Sequence, residues 1–284
     1  MSDLAIVWIN GELMPADEVR VSPFDLGLAV GWGVFETMPG YDGRVFGFAR
    51  HYERLVHSAS VLEIHVPPAE LLGSAVGEVL RANGLMSGRA RIRLSLSGGE
   101  YPLAGGGEAK CARGYVMIHA VAMPDPLAVA RLVAVPFLHN ERSGLSGCKT
   151  ASYAGNVLAL RHAAAAGADE AVVSNTMGHL CEGATSNLFL VKGGVVKTPS
   201  LASGCLAGVT RAIVLELCRE HDVATEECTL TLADVEAADE VFLTSSMREV
   251  QSARLLGSGH EAGGPVTLRL AGWYRERVGK ELGR

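Results

Sequence analysis

Apolar and polar positions alternate early in the chain. The stretch AIVWINGELMP reads as a strand, a glycine turn and a second short strand. Gly27, Gly31 and Gly33 precede a strand around residues 34–38, and Tyr41-Asp42-Gly43 marks a hairpin turn. From 49 to 62 the period changes. Leu55, Ala59 and Leu62 recur at helical spacing with Arg50, Arg54 and Ser58 on another stripe, which predicts an amphipathic helix. Pro67-Pro68 opens a second helix, running through Val76 and Leu80 to Asn83-Gly84. Arg89, Arg91 and Arg93 then alternate with Ala90, Ile92 and Leu94. That predicts a strand with three guanidiniums on one face and apolar side chains on the other. A Gly-rich loop at 103–107 and a strand at 115–121 follow.

Met123-Pro124-Asp125-Pro126 is the clearest linker signal, and it predicts a division into residues 1–122, a linker over 123–127, and residues 128–284. Beyond it come a strand at 131–135 and a polar stretch, HNERSGLSGCKT. A helix with an apolar face then runs from about 153 to 166, capped by Gly167. Strands at 170–174 and 187–191, a Gly193-Gly194 hairpin, a helix from about 210 to 220 and a strand at 240–244 complete the reading.

Composition narrows the classes. With 284 residues, 48% of them hydrophobic, the chain can bury a sizeable core. No apolar run approaches the ~18 residues of a membrane span, and the N-terminus lacks the basic region of a secretory signal. A cytoplasmic protein with no membrane partner is expected. The net charge is −6 without a Lys/Arg block, which argues against nucleic acid as a partner. The six cysteines are scattered without a CxxC pair and read as reduced thiols. The nine histidines lack zinc-ligand spacing, so no metal site is expected.

Lysine is scarce, with five against twenty arginines. Lys110, Lys192, Lys197 and Lys280 sit in loops, beside a hairpin or in the tail, as solvated charges do. Lys149 sits in Gly147-Cys148-Lys149-Thr150, just ahead of the 153–166 helix. A lysine entering the interior must have its amine neutralised or engaged. Covalent attachment to an aldehyde cofactor is one solution, and an ordinary loop lysine is the other reading. Glu182 precedes an apolar strand; it is either a turn or edge residue or the partner of a buried cationic nitrogen. Gly208-Val209-Thr210-Arg211 opens a helix whose free amides suit a phosphate, though many helices begin this way. Thr244-Ser245-Ser246 adds hydroxyl and amide donors. Arg54 by itself reads as surface charge.

In combination these residues resemble one family. The matching segments are Lys149-Thr150-x-x-Tyr153-x-x-Asn156, Asp169-Glu170-Ala171, Glu182-Gly183-x-x-Ser186-Asn187-Leu188-Phe189, Thr198-Pro199 and Gly208-Val209-Thr210-Arg211. Asn10-Gly11, Asp25-x-Gly27, Gly33-Val34-Phe35-Glu36 and His51-x-x-Arg54-Leu55 with Ser58-Ala59 agree in the first half. The chain is similar, from Val7 to about Val250, to the fold-type IV pyridoxal-phosphate enzymes: branched-chain aminotransferases, D-amino-acid aminotransferases and 4-amino-4-deoxychorismate lyases. The resemblance implies an α/β (α+β) fold. A small N-terminal α/β domain would stand beside a larger C-terminal domain that carries the cofactor lysine, with the active site between them. It implies that Lys149 carries pyridoxal 5'-phosphate, Glu182 pairs with the pyridine nitrogen and Arg54 holds the phosphate. Val209 and Thr210 supply phosphate amides, Thr244 and Ser245 form a second phosphate loop, and Tyr153 lies near the phenolic oxygen. It also implies a homodimer, with the regions around 28–32 and 103–107 near the neighbouring site.

Within the family, Arg91-Ile92-Arg93-Leu94 lacks the tyrosine and proline of the branched-chain enzymes' Tyr-Ile-Arg-Pro strand, and Phe35-Glu36-Thr37 replaces their Phe-Glu-Gly. Gly98-Gly99-Glu100-Tyr101-Pro102 lacks the Arg-x-His carboxylate trap of the D-amino-acid enzymes. Thr37 and the Arg-Ile-Arg-Leu strand look most like the deoxychorismate lyases, although Pro39 stands where many relatives have arginine. The expectation is a lyase that releases 4-aminobenzoate and pyruvate. The alternative is an aminotransferase acting on an amine or amino acid, and a silent binding protein on the same fold is a third reading. Thr37 is expected as a hydroxyl donor on the substrate side. Arg93 is expected as a carboxylate anchor, or else as part of a solvated arginine stripe.

Overall fold

The computed structural model describes residues 5–100, 114–258 and 263–284, and it divides into two compact units. The Gly-rich loop read at 103–107 lies outside the described residues, as do Lys110 and Cys111.

The first unit comprises Met1–Asp125 and Cys148–Tyr153. Its strands are β1 (Ile6–Ile9), β2 (Glu12–Pro15), β3 (Gly33–Tyr41), β4 (Arg44–Val45), β5 (Arg89–Ser97) and β6 (Val116–Ala122). They form an antiparallel sheet in the order β2-β1-β6-β5-β3-β4. Helices α2 (Phe48–Val61) and α3 (Ala69–Ala82) cover one face. Period-two alternation sorts the side chains. Ala90, Ile92, Leu94 and Leu96 of β5 are buried with Leu55, Leu72, Val76 and Leu80 of the helices, while Arg89, Arg91 and Arg93 take the other face. Each large apolar side chain buried in this way contributes roughly 1.5–3 kcal/mol.

A short helix, α1 (Leu26–Val30), was not expected. It explains the Asp25-x-Gly27 motif: Asp25 Oδ1 accepts from the Gly27 N–H at 2.8 Å as the N-cap. Asp25 Oδ2 accepts from the Ser97 hydroxyl at 2.7 Å.

The second unit comprises Pro126–Gly147 and Ala154–Arg284. Its strands are β7 (Val129–His139), β8 (Glu170–Asn175), β9 (Leu180–Gly183), β10 (Asn187–Lys192), β11 (Val195–Pro199), β12 (Thr225–Cys228), β13 (Glu240–Ser245) and β14 (Glu249–Leu255). They form a mixed sheet in the order β12-β11-β10-β13-β14-β7-β8-β9. Helices α4 (Ala154–Ala165), α5 (Val209–Glu220), α6 (Leu232–Glu236) and α7 (Pro265–Leu282) accompany it.

The chain leaves the first unit between Asp125 and Pro126, inside the segment read as a linker. The segment Cys148–Tyr153, which carries Lys149, groups with the first unit. Backbone bonds explain the return. The Phe35 N–H donates to the Lys149 carbonyl at 3.0 Å, and the Ala151 N–H donates to the Gly33 carbonyl at 2.7 Å. A Cβ on Gly33 would stand 2.7 Å from the Leu96 carbonyl, so glycine is needed for this close packing. Helix α4 also differs from expectation: its buried residues are Ala159 and Ala163, while Val157 and Leu158 are exposed.

Candidate active site

In the first unit, α2 and the returning segment fix Lys149 by its backbone. Ser58 lies one turn beyond Arg54 on α2, and its hydroxyl oxygen accepts from the Lys149 N–H at 3.0 Å. The Lys149 Nζ stands 4.5 Å from the centroid of the Phe35 ring and 5.9 Å from that of Tyr153. The Tyr153 and Phe35 rings meet edge to face at 5.3 Å. Arg93 contacts the same Phe35 ring, with its guanidinium carbon 3.6 Å from the centroid. Strand register places Thr37 on one side of Arg93 and His119 on the other. Burial, reinforced by the charges of Arg93 and Arg91, pushes the His119 imidazole below its ordinary pKa. Among the described residues, no carboxylate pairs with Arg93, whose Nε donates to the Ser95 hydroxyl at 3.3 Å. The structure thus brings Lys149, Tyr153 and Arg93 to one ring, with Thr37 next to Arg93.

Arg54 is engaged by Glu36. Its Nε donates to Glu36 Oε1 at 2.8 Å and its Nη2 to Oε2 at 2.7 Å. His51 Nδ1 lies 2.7 Å from the same Oε2. Burial pushes the Glu36 carboxyl up, but the Arg54 charge and hydrogen bonds, with those of His51, outweigh it and hold the pKa at about 2. Burial lowers the His51 pKa, against the raising effect of its hydrogen bond and charge pairing with Glu36. Glu36 and His51 were not among the expected site residues. The signal was nevertheless present: period two places Glu36 with Val34 and Met38 on the core face, where a carboxylate requires partners.

These shifts predict acid sensitivity. The Glu36 pKa is lowered on folding, so its pair contributes stability above the unfolded value near 4.5 and loses it as pH falls toward 2. Asp169, held at about 2 by its hydrogen bonds with Arg131, acts in the same direction. The lowered His51 adds a loss that begins as pH falls below about 6.5, where the unfolded imidazole takes up a proton. The thermal midpoint, followed by circular dichroism, is expected to fall steadily from pH 7 to pH 3. A midpoint constant over that range would contradict these assignments.

In the second unit, Glu182 lies within β9 rather than in a turn. Its Oε2 accepts from the Leu206 N–H at 2.9 Å and from the Asn187 side-chain amide at 3.3 Å. Asn187 also donates to the Leu206 carbonyl at 2.9 Å and pairs in register with Thr244. Asn187 and Leu206 were missed as orienting groups, although Asn187 belongs to the Ser186-Asn187-Leu188-Phe189 motif. Gly208 precedes α5, which has no side-chain N-cap, so the helix opens with the amides of Val209 and Thr210. A Cβ on Gly208 would fall 2.0 Å from Asn187 Oδ1, which makes glycine necessary beside this network. Thr244 Oγ1 is buried without a hydrogen-bond partner among the described residues. An orphaned buried hydroxyl is costly unless a ligand completes it. Ser245 Oγ accepts from the Arg248 N–H at 3.2 Å. The Glu182 carboxyl group, an uncapped helix start and an unsatisfied hydroxyl fit a phosphorylated ligand with a protonated ring nitrogen.

Among the described residues, no cluster of three or more His, Cys, Asp or Glu is arranged to hold a metal ion. None of the described helices is long and apolar enough to cross a membrane.

Comparison with known proteins shows the family. The amino-transferase class IV family profile matches residues 33–256. A Methanocaldococcus jannaschii protein, provisionally named a branched-chain-amino-acid aminotransferase, is 36% identical over 248 residues, covering 86% of this chain and 85% of its own. The aminodeoxychorismate lyase of Bacillus subtilis is 29% identical over 248 residues, covering 86% and 84%. Among solved structures, the branched-chain aminotransferase of Thermoproteus uzoniensis superposes with a TM-score of 0.89 at 30% identity, covering 97% of this chain and 95% of its own. The chain belongs to the class IV aminotransferases, a family of pyridoxal-phosphate-dependent enzymes.

Proposed function

We propose that the protein is an aminotransferase that moves an amino group between an amino acid and a 2-oxo acid. The reading rests on one observation above all: Lys149 Nζ and the Arg93 guanidinium both lie against the Phe35 ring. An amine that can shuttle a proton therefore stands near a cation without a carboxylate partner among the described residues. The higher identity to the M. jannaschii protein than to the B. subtilis lyase favours amino transfer over elimination.

Pyridoxal phosphate, when bound, supplies an electron sink for charge developing at the substrate's α-carbon. Lys149 carries the cofactor, and its amine then serves as general base at that carbon. Glu182, fixed by Leu206 and Asn187, keeps the ring nitrogen protonated. In the first unit Arg54, and in the second unit the amides of Val209 and Thr210 with the Thr244 and Ser245 region, are the groups that would each offer donors to the cofactor's phosphate. Tyr153, whose ring meets Phe35 edge to face, would interact with the cofactor's phenolic oxygen. Arg93 receives a substrate carboxylate through its planar guanidinium, and Thr37 donates a hydroxyl beside it.

A second reading, the aminodeoxychorismate lyase, is favoured by the register pair Thr37–Arg93, because threonine replaces the glycine of the branched-chain enzymes. One experiment separates the two. The holoenzyme is given L- and D-amino acids with 2-oxoglutarate, and separately aminodeoxychorismate. Glutamate formation is expected. Equimolar 4-aminobenzoate and pyruvate without an oxo-acid acceptor would replace the aminotransferase reading with the lyase.

The assembly proposed is a homodimer. Phe24, Leu28, Val30 and Trp32, on and around α1, are large apolar side chains left exposed, Phe24 at 75%. Light scattering is expected to give twice the mass of one chain, and a monomer would contradict the assignment.

A further inference from the structure

Taking as given the reading that Arg54 holds the cofactor phosphate, we propose that Glu36 is a positioning residue which sets the plane of the Arg54 guanidinium for that phosphate. Glu36 is 1% exposed on the core-facing side of β3, between Val34 and Met38. An apolar side chain there would pack without desolvating a charge. Buried ion pairs are weak sources of stability but strong sources of geometry. The geometry here is specific. Both carboxylate oxygens are used, and the pair engages Arg54 through Nε and Nη2, the two nitrogens on one edge of the guanidinium. That fork allows one orientation of the plane, where a single contact would leave it free to turn.

His51 closes the arrangement from the same helix. It stands three residues before Arg54, on the same face of α2, and hydrogen-bonds Glu36 Oε2. Glu36 carries one negative charge and Arg54 one positive, so the two charges offset each other within the pair. Its effect on a phosphate is therefore mainly one of direction. The face of α2 that presents Arg54 also presents Ser58, which holds the Lys149 backbone N–H. Loss of Glu36 could thus act through the phosphate alone or through the whole helix and Lys149. A pair of aldehydes tells these apart, since pyridoxal lacks the phosphate and keeps the group that reacts with Lys149.

The test uses the full chain, freed of cofactor and titrated with pyridoxal 5'-phosphate or with pyridoxal, and binding is read from near-ultraviolet absorbance. Glu36→Gln is expected to weaken the phosphorylated aldehyde about tenfold or more and pyridoxal less than about twofold, the contrast expected when a charged hydrogen-bond fork is lost. The double variant Glu36→Gln/Arg54→Ala is expected to bind the phosphorylated aldehyde no more weakly than Arg54→Ala alone, because the two residues act as one unit. Equal losses for both aldehydes, or additive losses in the double variant, would overturn the proposal. Arg54→Ala also tests the underlying reading by itself. If it treats the two aldehydes alike, Arg54 does not hold the phosphate and both readings fall; if it discriminates while Glu36→Gln does not, only the positioning role falls. Should Glu36→Gln fail to fold by circular dichroism, Glu36→Asp keeps the charge and shortens the reach. It must show the same phosphate-selective loss, and its absence would overturn the proposal.

Discussion

Replacing Lys149 with alanine is expected to lower turnover by at least about 10⁴-fold and to abolish covalent cofactor attachment. No other described lysine can substitute. Lys192 is bound to Asp239 and the Ala237 carbonyl, Lys197 is paired with Glu226 at 2.7 Å, and Lys280 lies in the last turn of α7. Lys149 alone among them meets Phe35 and Tyr153. The fold should survive, because the segment is held by backbone bonds to Gly33, Phe35 and Ser58 that alanine retains. Lys149→Arg is the informative companion. It keeps the positive charge but supplies neither a nucleophilic amine nor a base, so it should be as inactive as the alanine variant. Activity of either variant within tenfold of wild type would remove Lys149 from the chemistry.

Glu182→Gln is expected to lower the chemical step by about 10²-fold or more while the cofactor stays bound. Glutamine keeps the volume, and its carbonyl oxygen can still accept from the Leu206 and Asn187 N–H groups. The anion is what disappears. Under the role proposed for Glu182, an amide there would no longer favour a protonated ring nitrogen, and charge developing at the substrate's α-carbon would lose its sink. Stopped-flow kinetics on the holoenzyme separates this from cofactor loss. A fall in the rate of the chemical step at unchanged cofactor affinity is the expected result, and an unchanged rate would count against the role assigned to Glu182.

Much of the fold was legible where one period dominated. The alternation of Arg89–Leu94 showed which face of β5 is buried, and Leu55 and Ala59, with Leu62 just past the helix end, showed the inner face of α2. Short or polar elements were missed. Strand β9 has four residues, two of them Glu182 and Gly183, too few to show a period. Helix α7 was readable yet unread: Val266, Leu270, Tyr274, Val278 and Leu282 recur every fourth residue and are all buried, but arginines, glutamates and glycines between them masked the stripe. In the candidate site, motifs pointed to Lys149, Glu182 and Arg54, but their supports were not legible. Ser58, Asn187 and Leu206 act through contacts distant in sequence, which only folding brings into range, and for Glu36 the period showed burial but not its partner Arg54. The return of Cys148–Tyr153 to the first unit was hidden for the same reason. A boundary read from a Pro-rich linker assumes that each part of the chain stays on its own side.

The most direct test of the central claim is to reduce the holoenzyme with borohydride and map the pyridoxyl-modified peptide by mass spectrometry. The account predicts a single adduct on Lys149, in the peptide that contains Gly147-Cys148-Lys149-Thr150. An adduct on Lys110, Lys192, Lys197 or Lys280, or no adduct at all, would contradict it.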